Sequence, residues 1–150
     1  MLSRALLAVC LGLTPSFPAG ASARENPIRK TIAGPVEAEL ITVVDGDTIL
    51  VNAQPWPQHT IAVLVRIRGI DAPEMKSKCR TARRAAERAK QALSHLATGR
   101  ILLTNISGDK YFGRIVADVT TEEETDIGAA MIGSGLARIY DGGRKMRESC

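Results

Sequence analysis

Four groups of polar residues stand in or beside apolar stretches of the chain: Asp45-Gly46-Asp47-Thr48, Arg66 with Arg68, Asp71-Ala72-Pro73-Glu74, and Asp109-Lys110-Tyr111-Phe112-Gly113-Arg114. A carboxylate at a turn ordinarily serves the turn itself, because the short side chain bonds the backbone just ahead of it. A single arginine on a strand is ordinarily a solvated edge residue. The combination asks for more: two acidic turns flank an arginine-bearing strand, and a third loop ends in arginine. Carboxylate oxygens without Cys or His suit a hard cation such as Ca²⁺ or Mg²⁺ rather than zinc. His59 and His95 lie far apart, show no ligand spacing and read as surface residues. The planar guanidinium fork matches the oxygens of a phosphate. A cation, arginines and a spare carboxylate are what the attack of water on a phosphodiester requires: charge stabilisation on the phosphoryl group and a base for the water.

The elements that must position these groups follow from periodicity. Glu37 to Val44 is β-branched and partly alternating, Asp45-Gly46-Asp47 is a turn, and Thr48 to Val51 returns as the second strand of a hairpin. Residues 52–59, with two prolines and the single tryptophan, read as a loop in which Trp56 packs against the body of the protein. Thr60 to Ile67 is a third strand, with Ile61, Val63, Val65 and Ile67 on one face and Arg66 and Arg68 on the other. Cys79 to Ala97 carries a helical stripe of Ala82, Ala85, Ala89, Ala92 and Leu96, with Leu93 beside it and arginines behind it, and Gly99 to stop it. Arg100 to Ile106 and Arg114 to Thr120 are two more strands, Asp126 to Gly133 a short helix, and Leu136 to Tyr140 an extended end. Five strands with one long and one short helix predict a mainly β, α+β domain built on a small barrel.

The chain has 150 residues, which is room for one domain and a short appendage. Hydrophobic residues at 45% and charged residues at 24% exclude wholesale disorder. Aromatic residues at 3% exclude large stacking platforms for single strands. A net charge of +4 fits an anionic partner without demanding one.

Residues 1–23 read as an export signal: Arg4, an apolar run from Ala5 to Leu13 too short to span a bilayer, and a small-residue cleavage site at Ala21-Ser22-Ala23. Residues 24–35 are expected to be an irregular lead-in, and residues 36–150 the domain proper. Export to the periplasm or the medium would remove Cys10 and leave Cys79 and Cys150 in an oxidising compartment, where they form a disulfide or remain two separate thiols. A bridge would tie the start of the long helix to residue 150.

Val44-Asp45-Gly46-Asp47-Thr48, then Val65-Arg66-Ile67-Arg68-Gly69-Ile70-Asp71-Ala72-Pro73-Glu74, then Asp109-Lys110-Tyr111 with Gly113-Arg114, and Gly135-Leu136-Ala137, together resemble the staphylococcal nuclease (thermonuclease-like) family over about residues 36–141. The resemblance implies a five-stranded OB-type barrel. It implies that Asp47, Asp71 and the backbone carbonyl of Ala72 hold a catalytic Ca²⁺, with Asp45 shaping the loop. Glu74 is then similar to the carboxylate that activates water, and Arg66 and Arg114 to the phosphate-binding arginines. Lys110, Tyr111 and Tyr140 match positions near the bound nucleotide. One departure stands out: Phe112 is inserted between Tyr111 and Gly113, so either aromatic could face the ligand.

The function implied is a calcium-dependent, exported nuclease that hydrolyses DNA and RNA with little sequence preference, cleaving the 5′ P–O bond and leaving 3′-phosphates. Nucleic acid is its substrate, no membrane partner is expected after signal cleavage, and the protein is expected to be a monomer. The alternative is a non-catalytic barrel that binds nucleic acid or another anion. That alternative gives no reason for carboxylates at 45, 47, 71 and 74, each of which repels phosphate unless a cation is bound.

Overall fold

The computed structural model of the protein describes residues 31–143 and Cys150. The expected signal segment, most of the lead-in and residues 144–149 lie outside the described residues. Ten elements follow one another: β1 (Thr31–Ile32), β2 (Val36–Asp45), β3 (Thr48–Trp56), β4 (His59–Ile67), β5 (Ile70–Asp71), α1 (Arg80–Leu96), β6 (Arg100–Gly108), β7 (Arg114–Thr121), α2 (Ile127–Gly133) and β8 (Arg138–Ile139). Strands β2, β3, β4, β7 and β6 close into a five-stranded barrel, because β6 pairs with both β2 and β7. All of these pairings are antiparallel except β4–β7, which is parallel. Closure leaves no long unpaired edge among the five strands.

The barrel interior is filled by alternate residues: Ile49 and Val51 from β3, Val65 and Ile67 from β4, Ile101 and Leu103 from β6, Ala117 and Val119 from β7. The partial alternation in β2 has a geometric cause. Ile41 and Val44 are passed over in its register with β3, so the strand bulges twice and both side chains face solvent. Such bulges bend a strand enough to serve two neighbours around a tight barrel.

Two stretches differ from expectation. Residues 52–59 are a continuation of β3 and β4 joined by a tight turn, with Asn52 opposite Ala62 and Trp56 opposite His59. The prolines misled because Pro55 sits where the register shifts between Ala53 and Trp56, so its missing N–H falls at an irregularity of the ladder. Trp56 at this hairpin tip is 53% exposed and tilts against His59, with ring centroids 5.8 Å apart, rather than packing on the barrel. The lead-in, expected to be irregular, adds β1 to β6 through Thr31 and Ile32.

Helix α1 covers β2 with a face of small residues. The buried stripe is Ala82, Ala86, Ala89 and Leu93, while Ala85, Ala92 and Leu96 flank it half-buried. The small residues let the β2–β3 turn approach closely: a Cβ on Gly46 would stand 2.7 Å from the Cβ atoms of both Ala72 and Ala89. Gly46 therefore fixes how near the acidic turn lies to the helix and to the segment after β5. Cys79, the N-cap residue of α1, is bonded to Cys150 with Cα atoms 5.6 Å apart.

Two outcomes are expected. Gly46→Ala lowers stability by about 1–3 kcal/mol through overpacking, read by denaturant unfolding. Reduction, or Cys150→Ser, opens a loop closed across 71 residues and costs up to roughly 4 kcal/mol on the chain-entropy account; an unfolding midpoint unmoved by reductant would count against a stabilising bridge.

Candidate active site

The acidic turn ends at Asp47, which is 4% exposed and has partners on both carboxylate oxygens. Its Oδ1 accepts from the Thr48 hydroxyl at 2.9 Å and lies 2.5 Å from Arg66 Nη1. Its Oδ2 accepts from the backbone N–H of Ala72 at 3.1 Å. The Asp47 N–H itself donates to Asp45 Oδ1 at 3.2 Å, which holds the turn in shape. Arg66 stands directly opposite Thr48 in the β3–β4 ladder, so hairpin register alone brings the guanidinium to the turn. Its Nη2 donates to the Ile70 carbonyl at 3.0 Å and lies 3.6 Å from Asp71 Oδ1. One arginine thus bridges the two acidic segments.

Short strands complete this corner. β5 carries Asp71 and pairs with β8, placing Asp71 opposite Arg138 and Ile70 opposite Ile139. The chain then reaches Tyr140, whose N–H donates to the Gly69 carbonyl at 2.8 Å and whose ring centroid lies 5.7 Å from Arg66 Cζ. The Tyr140 hydroxyl donates to the Gly143 carbonyl at 2.7 Å.

The second arginine arrives from the other side of the barrel seam. In the parallel β4–β7 pair, Arg114 is opposite Leu64 and Val116 is opposite Arg66. Residues two apart on a strand share a face, so Arg114 and Arg66 are diagonal neighbours on the outer face. Arg114 Nε is ion-paired to Asp109 Oδ2 across the base of the β6–β7 loop. Its Cζ lies 4.7 Å from the Tyr111 ring centroid, and Lys110 Nζ lies 5.1 Å from the same ring. Both distances are within cation–π range. Tyr111 is therefore the aromatic that meets the Lys110 and Arg114 cations, and Phe112 points into solvent at 108% exposure.

The electrostatics of the corner are unequal. Burial by itself pushes the Asp47 carboxyl up, but the Arg66 guanidinium, the Ala72 N–H and the Thr48 hydroxyl outweigh it and hold it below the usual carboxylate range. Asp45 goes the other way: burial and the nearby charge of Asp47 push it up. Arg66 is held even more firmly charged than usual: burial opposes this, and Asp47, Asp71 and Asp45 overcome it. Three carboxylates acting on a single guanidinium leave an excess of negative charge, and every donor is a hard oxygen. Among the described residues no three His, Cys, Asp or Glu side chains form a metal cage by themselves; a cation here would draw on Asp47, Asp71 and backbone oxygen together.

Asp47, Arg66, Asp71, Ala72 and Tyr140 thus come together, Arg114 lies diagonal to Arg66 on the same sheet face, and Lys110 and Tyr111 stand beside Arg114 in the β6–β7 loop. Glu74 lies in the connection from β5 to α1, exposed, its carbonyl accepting from the Ser77 N–H at 3.1 Å. Arg68, grouped with Arg66 by its place on the strand, belongs elsewhere: it donates to the Asn105 and Val116 carbonyls and to Ser107 Oγ, and pairs with Asp118 at 3.3 Å. It holds the place where β6 slips its register against β7, between Thr104 and Ser107. Sequence reasoning gave no part to Thr48 or to the Asp109 partner of Arg114. Their signal was present as the residue after the D-G-D turn and the acid that opens the D-K-Y-F-G-R loop.

Over residues 64–149 the chain matches the staphylococcal nuclease homologue family, and it belongs to that family. The match takes in Arg66, Asp71, Glu74 and Arg114. The chain is similar to the probable endonuclease LCL3 of Phaeosphaeria nodorum, with 30% identity over 121 residues, which is 79% of this chain and 39% of that protein. It therefore spans well under half the length of this relative.

The opposed shifts at Asp45 and Asp47 separate by mutation. In chelator, Asp47→Asn takes from Arg66 its nearest carboxylate, leaving the Asp71 ion pair and the more remote charge of Asp45, and costs about 3 kcal/mol of stability, whereas Asp45→Asn, which keeps its acceptor oxygen, costs nothing or stabilises. The Asp47 contribution is present above the ordinary carboxylate range and is lost as pH falls through its lowered value; the Asp45 cost is relieved as pH falls through its raised value. Unfolding curves of both variants at neutral pH and near pH 3 check this, and equal losses at neutral pH would refute the assignment.

Proposed function

We propose that the protein is an exported nuclease that hydrolyses the phosphodiester bonds of DNA and RNA with little sequence preference, using Ca²⁺ held at Asp47, Asp71 and the Ala72 carbonyl. The observation that carries this reading is the convergence of Asp47, Asp71 and Arg66 on the same outer face as Arg114. Family membership and the similarity to a probable endonuclease support it. The hard-oxygen donor set and its excess negative charge fit a divalent cation of the Ca²⁺ type. When bound, the cation would supply positive charge against the phosphate oxygens.

The chain's own residues supply the rest. Arg66 and Arg114 take the non-bridging oxygens, and their charge is worth most as the phosphoryl group gains negative charge in the transition state. Asp47, buried and triply hydrogen-bonded, keeps Arg66 aimed without being displaced itself. Glu74 accepts a proton from the attacking water as the new P–O bond forms. The bond to the 5′ oxygen breaks, that oxygen takes a proton from solvent, and a 3′-phosphate remains. Lys110 and Tyr111 line the path of the neighbouring phosphate, and Tyr140 covers the flank of Arg66. The apolar segment after Arg4 and the Cys79–Cys150 bridge support an oxidising, extracytoplasmic location. The domain acts as a monomer.

Cleavage of single-stranded DNA and of RNA is expected with millimolar Ca²⁺, weaker with Mg²⁺ and lost in EDTA. Arg66→Ala, Arg114→Ala and Glu74→Gln should each lower kcat about 100-fold or more. Intact substrates under every divalent cation, with oligonucleotide retained equally in Ca²⁺ and in chelator, would replace hydrolysis by plain binding.

A further inference from the structure

Phe112 has no part in the site so far, yet its placement is unusual. It is one of two phenylalanines in the chain and is 108% exposed, more open than any other large apolar residue described. The loop that carries it is braced rather than loose. The Asp109 N–H donates to the Arg114 carbonyl at 3.2 Å, the Arg114 N–H to the Tyr111 carbonyl at 3.3 Å, and the Lys110 N–H to Asp109 Oδ1 at 2.6 Å. The Asp109–Arg114 ion pair closes the same loop. Gly113 takes φ +80°, a left-handed turn that a side chain there would strain. Tyr111 is occupied between Lys110 and Arg114. The braced loop therefore presents a flat apolar ring next to two cations that suit phosphates.

Phe112 stands two residues after Lys110 and two before Arg114, so a strand whose phosphates lie along those two cations carries its bases past the same loop. Aromatic rings bind bases by their faces, tolerate every base and require the base to be unstacked from its neighbours. We propose that Phe112 stacks on an unpaired nucleobase next to the scissile phosphate, and so makes single-stranded or frayed nucleic acid the preferred substrate. This rests on the nuclease reading and adds to it a residue that selects the strand's conformation. Burial under a base gives the ring the apolar partner that it lacks in the free protein. A duplex keeps its bases stacked inside and offers the ring nothing to cover it.

The test compares Phe112→Ala, Phe112→Leu and Phe112→Tyr with the wild type on a short single-stranded oligonucleotide, an oligonucleotide with abasic sites, and a duplex. Phe112→Ala should raise KM for the single strand about tenfold while kcat moves less than twofold. Phe112→Tyr should stay near wild type and Phe112→Leu should resemble Ala, because leucine is apolar but has no flat face. On the abasic oligonucleotide and on the duplex, all four proteins should agree. Restoration by leucine, the same loss on the abasic substrate, or an unchanged KM would each overturn the proposal. The change in emission of a 2-aminopurine in the oligonucleotide on binding reads the base's transfer from its neighbours to the ring without turnover. Loss of that change in Phe112→Ala supports stacking even if hydrolysis itself fails. An equal change, with the Ala variant instead losing retention on phosphatidylglycerol vesicles, would overturn it in favour of a lipid surface.

Discussion

The carboxylate of Asp47 is the point on which the rest of the site depends. It is almost wholly removed from water, and a charge so placed is tolerable only when every lone pair it turns inward meets a donor. The donors come from three places: the adjacent Thr48, Arg66 on the next strand and the Ala72 N–H beyond β5. Satisfying one buried charge therefore stitches together the β2–β3 turn, the end of β4 and the start of the connection to α1. Arg66 extends the stitch by bonding the Ile70 carbonyl and approaching Asp71. The same contacts that make the charge affordable in the fold leave it aimed at the outer face.

Small residues set the scale of this corner. Gly46, Ala72 and Ala89 meet where a single added carbon on the glycine would collide with both alanines. The alanine-rich face of α1 is thus more than a helix-forming composition: it lets a polar turn pack closely against the helix, with Asp47 and Thr48 buried there. The long helix carries no residue of the proposed chemistry, yet its position determines where Asp47 stands.

Both the barrel and the clustering of Asp47, Asp71 and Arg66 were legible in the sequence, each for its own reason. Asp47, Asp71 and Arg66 were readable because acid turns flanking an arginine strand are hard to explain as solvated edges, and hairpin register then does the assembly. The barrel strands were readable from alternation where each faces one core. What escaped were places where local signals mislead. Pro55 suggested a loop, but a ladder irregularity absorbs its missing donor. Trp56 suggested packing, but the hairpin carries it past the end of the core. Arg68 looked equivalent to Arg66, and only the slipped register of β6 against β7 shows that its partners are carbonyls at the other side of the strand. The choice between Tyr111 and Phe112 turned on loop geometry fixed by Asp109, whose pairing with Arg114 has no counterpart in periodicity.

The parallel pairing of β4 with β7 carries a consequence for the newborn chain. The β2–β3–β4 meander can form from local hairpins and already aligns Asp47 with Arg66. Arg114 reaches its diagonal place only after the intervening helix and β6 have been made and the barrel has shut. Contacts so distant along the chain form late, since loop closure must precede them. A ribosome-bound chain therefore holds only one half of the two-arginine face. The two arginines share one face only once the last strand of the barrel has docked.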